Sequence, residues 1–209
     1  MPSSDLYARF RFLAVQVADG LATVTMGDPV DATFLAEQHP MHTELRDIFA
    51  ALASDAGVRA AVLTGAGATF FAGPPLDETE QLLTANLQAG AKQMIEAREI
   101  CQAMLDFRKP LVAAVNGVAN GIGCQIAMLC DFAVASHDAM FADSHVRLGL
   151  PAGDGGTMIW PLLIGMARSR ALLLRGKPIG AEEALALGIV AELAEKRRFW
   201  MPRRHSPAS

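Results

Sequence analysis

The chain has 209 residues and a mass of 22.2 kDa, enough for one sizeable hydrophobic core. Hydrophobic residues make up 52%, charged residues only 19%, and mean hydropathy is +0.27; this excludes a disordered chain and suggests unusually complete burial, subunit interfaces included. A net charge of −4 and a pI near 5.7 leave no general basic footprint for nucleic acid.

The N-terminal MPSSDLYARFRF lacks a basic-then-apolar run with a small-residue cleavage site, so no export signal is expected and the location is read as cytoplasmic. Leu13 to Val17 and Leu21 to Met26 alternate as half-buried strands around Ala18-Asp19-Gly20, where Asp-Gly suits a tight hairpin. His39-Pro40-Met41-His42 stands at a helix start and is read as polar first-turn residues, with no metal expected. Met41, Leu45, Ile48, Phe49 and Leu52 then recur at helical spacing, and Ala60 to Thr64 is a short apolar strand halted at Gly65. A long helix is predicted from about Glu78 to Phe107, closed by Lys109-Pro110 before the strand Leu111 to Val115.

Pro110 to Cys130 carries no charge over 21 residues, close to the length of a membrane span. Asn116, Gly117, Asn120, Gly121, Gly123 and Gln125 interrupt it, so it is read as a strand, a glycine turn and a small-residue helix from Gly121 to Leu129. The strands Phe132 to Ala135 and Met140 to Ala142 follow, then a helix after Gly155-Gly156 and a helix-rich stretch over residues 180–193. Short buried strand, glycine turn and helix recur, which argues α/β architecture in one core domain, residues 1–193. Residues 194–209 form an irregular tail. It holds Lys196, Arg197, Arg198, Arg203 and Arg204, so residues 1–195 alone sum to −9.

Three cysteines, Cys101, Cys124 and Cys130, form no CxxC pair and sit among apolar residues, as buried thiols do in a reducing compartment. Nucleotide motifs fail on inspection. Ile126 occupies the last glycine position after Gly121-Ile122-Gly123, Phe70 does so after Gly65-Ala66-Gly67, and GxxxxGK[ST], GxSxG and HExxH are absent.

Four segments occur in order: VRAAVLTGAGATFFAGPPLDE (58–78), KPLVAAVNGVANGIGCQIAMLCDFAVAS (109–136), MFADSHVRLGLPAGDGG (140–156) and GAEEALALGIVAEL (180–193). Together they resemble the crotonase superfamily, the enoyl-CoA hydratase/isomerase group. The resemblance implies a spiral of ββα units, a homotrimer or hexamer, and an acyl-CoA substrate whose thioester oxygen is gripped by two backbone N–H groups. It implies no membrane, nucleic-acid or metal partner and no cofactor beyond the coenzyme A ester itself, with a place in fatty acid metabolism.

An enolate formed next to a thioester is stabilised by donors aimed at the developing charge, and a helix N-terminus supplies them. By resemblance, Ile122 and Gly123 lie at one side of this oxyanion hole and Ala72-Gly73 at the other. The residue expected to give the second N–H is Pro74, which has none. Either the hole is altered, or Gly73 or Leu76 turns inward instead.

Family hydratases use two glutamates, whereas the matching positions here are Gln125 and His145. An amide carries no exchangeable acid proton near neutrality, whereas an imidazole can act as a base. Gln125 is read either as part of the site or as a helix residue satisfied by local backbone. Asp154 is read either as a helix-start cap or as the group that orients His145 and stabilises its imidazolium.

His145, Asp154, His42-Thr43-Glu44-Leu45 and PAGDGGTMIWPLLIG (151–165) are similar to the oxocamphor hydrolases, which cleave cyclic β-diketones without coenzyme A, although Ile122 stands where that branch has a histidine. Three functions follow as expectations: enolate chemistry on an acyl-CoA, retro-Claisen hydrolysis of a β-diketone, and a non-catalytic subunit. Relatives usually continue past GIVAEL into helices that complete the trimer and cover the acyl pocket. The basic tail is read as a truncated or frame-shifted replacement for them.

Overall fold

The computed structural model describes residues 6–27, 40–73, 77, 80–81 and 87–195. Strands β1 (Leu13–Ala18) and β2 (Leu21–Met26) pair antiparallel with Ala18 opposite Leu21, so Asp19-Gly20 is the two-residue turn that the sequence requires. Helix α1 (Pro40–Ser54) buries Met41, Leu45, Ile48, Phe49 and Leu52, the stripe expected from their spacing.

Strand β3 (Ala60–Gly65) continues the sheet parallel to β2, and β4 (Thr69–Phe71) leaves it for a second sheet. The predicted long helix is described from Leu87 to Asp106 as α2, which packs on α1 and on the helix that follows β6. The pattern then repeats: β5 (Leu111–Val115) joins the first sheet, β6 (Val118–Asn120) the second, and α3 (Ile122–Leu129) follows. Next come β7 (Phe132–Ser136), β8 (Met140–Ala142), a 3₁₀ turn (His145–Leu148), α4 (Gly156–Ile164) and α5 (Met166–Arg175). Strand β9 (Ile179–Gly180), α6 (Ala181–Leu187) and β10 (Glu192–Ala194) complete the described chain.

The larger sheet has the order β1-β2-β3-β5-β7-β10 and the smaller β4-β6-β8-β9. In the pairs β3/β4, β5/β6 and β7/β8 the two strands therefore enter different sheets before the chain turns into a helix, which is the expected spiral of ββα units. The uncharged stretch from Pro110 resolves into β5, β6 and α3, and among the described residues no helix is long and apolar enough to cross a membrane.

Two readings need correction. The turn after Asn116 leads into strand β6, not directly into a helix. The stretch 180–193 is helical only to Leu187; Gly188, at φ 77, stops α6, and Glu192–Ala194 pairs in parallel with Val134–Ser136.

Asn116 is buried and joins the ends of β3 and β5: its Nδ2 donates to the Gly65 and Gly67 carbonyls at 3.0 and 3.1 Å, and its Oδ1 accepts from the Gly65 N–H at 2.9 Å. This holds the β3–β4 loop against the start of the next ββα unit. Cys124 is buried, and Cys101 and Cys130 are half-buried, all three as free thiols. On the outer side of α4 and α5, Met158, Leu162 and Leu174 are 71%, 81% and 74% exposed, an apolar surface that the fold leaves open among the described residues.

Candidate active site

Helix α3 brings the first part of the site. Its Cys124 and Gln125 N–H groups close on the Gly121 carbonyl at 2.9 and 3.3 Å. Ile122 and Gly123, the first two helical residues, have no carbonyl one turn behind them in the helix. Phe71, at the end of β4, lies so close that a Cβ built on Gly123 would stand 2.0 Å from its backbone oxygen. Glycine at 123 is thus what lets the helix start abut the β4 exit, where Ala72 and Gly73 lie. Gly123→Ala should force α3 away from β4 and cost about 1–3 kcal/mol of stability, read by urea denaturation; an unchanged midpoint would contradict the contact.

The Asn120 side chain ties the neighbouring loops together. It donates to the Ala72 carbonyl at 3.2 Å and accepts from the Ser144 hydroxyl at 2.9 Å. Pro74 and Leu76, expected at the second side of an oxyanion hole, lie outside the described residues, so the partners of Ile122 and Gly123 in such a hole are described only as far as Gly73.

The second part is a closed ring of four side chains, three of which the sequence singles out. Gln125 is fully buried; its Nε2 donates to Asp143 Oδ2 at 3.1 Å and to Asp154 Oδ1 at 2.8 Å, and its Oε1 accepts from the Trp160 indole N–H at 3.3 Å. It is therefore not satisfied by local backbone, the bland alternative for this residue. Across the ring, His145 Nδ1 lies 2.8 Å from Asp143 Oδ1 and its Nε2 lies 3.8 Å from Asp154 Oδ2. The expectation that Asp154 orients His145 is thus corrected: Asp143 holds the ring by a hydrogen bond, and Asp154 faces the other nitrogen beyond hydrogen-bond distance.

Asp154 precedes the α4 cap residue Gly155 but makes no side-chain cap hydrogen bond there. Its Oδ2 is buried with no hydrogen-bond partner among the described residues. Asp143 and Trp160 are missing from the set read out of the sequence. His42 instead lies apart from this ring, its Nδ1 3.6 Å from Glu96 on α2, and Glu44 accepts the backbone N–H groups of Arg11 and Phe12.

Electrostatics follow from this packing. Burial pushes the Asp154 carboxyl up from its ordinary value, opposed by His145 and by the Gln125 hydrogen bond and the nearby Gly156 N–H, and helped by the charge of Asp143. Burial alone would lower the His145 pKa, but its hydrogen bond to Asp143 and the charges of Asp154 and Asp143 outweigh this and hold it above 6.5. The site therefore concentrates two carboxylates around one imidazole, with an amide in place of a third acid. Asp143, His145 and Asp154 could also offer ligand atoms within 4.8 Å of one another to a metal ion. Asp143 Oδ1 and His145 Nδ1, however, face each other at hydrogen-bond distance.

The α3 N-terminus adjoins this ring. A Cβ on Gly121 would lie 3.3 Å from both Asp154 Oδ2 and His145 Cε1, so helix-start donors and the imidazole border one region. Helix α2 closes it from behind, with Cys101 Sγ 3.6 Å from the Asp154 carbonyl. Burial, followed by the charge of Asp154, pushes this thiol up to about 11, which suits a packing role over a nucleophilic one.

Comparison with known proteins identifies the family. A family model described as enoyl-CoA hydratase/isomerase matches residues 16–201. The short-chain-enoyl-CoA hydratase of Clostridium acetobutylicum is 37% identical over 153 residues, 73% of this chain and 58% of that protein. A probable enoyl-CoA hydratase of Rhodobacter capsulatus is 34% identical over 188 residues, 88% of this chain and 68% of that protein. The crystal structure of an enoyl-CoA hydratase/isomerase from Mycobacterium paratuberculosis superposes with a TM-score of 0.78 at 34% identity, covering 90% of this chain and 75% of that one. The chain thus spans 58% and 68% of the length of these two curated relatives. A ββα spiral, an N-terminal helix turn set against the β4 exit and a family match over most of its length together assign the chain to the enoyl-CoA hydratase/isomerase family.

Proposed function

We propose that the protein acts on an acyl-CoA thioester through an enolate, with His145 as the proton carrier. The supporting observation is the juxtaposition at Gly121, where the first N–H groups of α3 border the His145/Asp154 pair. Donors at a helix start stabilise a thioester oxygen as it gains charge, and a base beside them removes the α-proton or a proton from added water. Hydratases named among the relatives favour a short enoyl-CoA as the first substrate to try.

Gln125 gives this reading its particular form. Its amide oxygen is taken by Trp160 and its amide hydrogens by two carboxylates, so it carries no proton to substrate. Proton transfer on this side rests on His145, backed by Asp154. With Gln125 and His145 at the two positions, the labour is not divided between two glutamates.

A specific observation favours a second reading, retro-Claisen hydrolysis of a β-diketone: Asp154 Oδ2 and His145 Nε2 face each other across 3.8 Å, a carboxylate set beside a base that would activate a water. His145 would take a proton from that water as its oxygen adds to one ketone carbon. The adjacent C–C bond would break to leave a carboxylic acid and an enolate, and the imidazolium would return the proton to the enolate carbon.

One screen separates these readings. Pure protein is offered short enoyl-CoAs and cyclic β-diketones, following loss of the conjugated chromophore and the shift in Tm. The acyl-CoA reading expects turnover of, and stabilisation by, the enoyl-CoA, amounting to about 2.7 kcal/mol at a hundredfold excess over Kd. Diketone cleavage alone would replace it with the second reading. Neither turnover nor a shift with either class would leave the non-catalytic reading standing.

A further inference from the structure

We infer that Asp143 is the positioning residue of the site: it fixes the His145 ring with the proton on Nδ1, so that Nε2 is the nitrogen left to exchange protons on the Asp154 side. The tautomer follows from donor and acceptor chemistry alone, whereas its use in turnover rests on the proposed function.

The bonding pattern has one consistent solution. The Trp160 indole only donates, so Gln125 must turn its Oε1 toward Trp160 and its NH2 toward the carboxylates. A flipped amide would set NH2 against the indole N–H and oxygen against two carboxylates. With the amide fixed, Asp143 Oδ2 accepts from Gln125 at 3.1 Å, and Oδ1 is turned to His145 at 2.8 Å. Both Asp143 oxygens already accept N–H donors, Oδ2 from Gln125 and Oδ1 from the His145 backbone, so Nδ1 is the donor in the remaining contact.

Asp143 Oδ1 also accepts the backbone N–H of His145 at 3.3 Å, which holds the carboxylate and the imidazole on one short loop. Asp143 is 4% exposed, so water competes little for these bonds. The donors therefore run in one direction, from Trp160 to Gln125 to Asp143, and the last link reads out as a histidine tautomer. Gln125 occupies the place of a family acid and serves here as the brace of this chain.

The test is 15N NMR of imidazole-labelled protein above the titration of the ring. The His145 resonances are identified among the five histidines by their absence in His145→Gln. Wild-type His145 should show a protonated Nδ1 and a bare Nε2. Asp143→Asn conserves volume but inverts the pattern. Gln125 forces the new amide to present its oxygen inward, its NH2 then faces Nδ1, and His145 should switch to the Nε2–H form. Asp143→Ala should lose the Nδ1–H preference. Turnover on the substrate found by the screen should fall by about a hundredfold or more in Asp143→Asn, through kcat and not KM.

A wild-type ring protonated on Nε2, or an Asn variant that keeps Nδ1–H, would overturn the assignment even if no substrate is ever found. An intact tautomer switch without any turnover would instead count against the proposed function alone.

Discussion

His145→Gln should lower kcat/KM by about 10²–10⁴-fold on the substrate that the wild-type protein turns over, the usual contribution of a positioned acid or base. Glutamine keeps a donor for Asp143 but has no proton to exchange near neutrality, so the variant separates proton transfer from support of the ring. The pH dependence sharpens the test. His145 must lose a proton before it can act as a base, and the adjoining carboxylates hold its pKa above 6.5. Wild-type activity should therefore climb on the alkaline side of pH 6.5, and Asp154→Asn, which removes one of the charges holding the proton, should move that limb toward lower pH.

Stability should run the opposite way. A histidine whose folded pKa is raised contributes fully below its unfolded value, and that contribution fades as pH rises through the folded value. The wild-type Tm should thus fall as pH climbs past 6.5, and His145→Gln should flatten that part of the profile. Turnover within tenfold of wild type in His145→Gln would remove the residue from the chemistry.

What the chain discloses before folding depends on whether a signal is local. The Asp19-Gly20 hairpin, the α1 stripe and the runs AAVL and LVAAV carry their period within a few residues, and each forms where it is expected. Strands β4 and β6 have three residues each, too few for a period to exist, and both are set by pairing with each other across sequence separations of about fifty residues. Strand β10 is concealed because Ala, Glu and Leu favour a helix as readily as a sheet edge, and the parallel ladder to β7 decides.

The same division holds at the site. Gln125, His145 and Asp154 stand out by where they fall in recognisable segments, and the fold does gather them. Asp143 was in plain view two residues before His145, but sequence alone offers no means of choosing it over Asp154 as the ring's partner. The choice is made by the exit of β8 into the 3₁₀ turn, which lays the two side chains of one loop together. Trp160 carries a weaker clue: a buried indole N–H needs an acceptor, and the acceptor lies on another helix.

Gln125→Glu is the substitution that would restore the acid familiar from the hydratases, and it should damage this protein. Position 125 is fully buried, and its side chain now gives one hydrogen to Asp143 and one to Asp154 at 3.1 and 2.8 Å. A carboxylate there keeps the bond from Trp160 but turns its second oxygen on two other carboxylates, leaving three acids around one imidazolium. Taking away one side of a buried charge-assisted pair costs on the order of 3–5 kcal/mol, and the loss at pH 8 should fall in that range.

The crowding can be relieved only by proton uptake, so a carboxyl in the ring is held above its unfolded value of about 4.3. The folded state then binds more protons than the unfolded one, and stability falls as pH rises through that window. Urea denaturation should consequently show a variant near wild type at pH 5 and far below it at pH 8. Gln125→Leu, which loses the two donors without adding charge, should be destabilised with much less dependence on pH. A glutamate variant as stable as wild type at pH 8, or one with faster enoyl-CoA hydration, would mean that the ring tolerates a third acid and that Gln125 is a lost catalyst; the geometry argues that it is a brace, because both of its hydrogens and its oxygen are already committed.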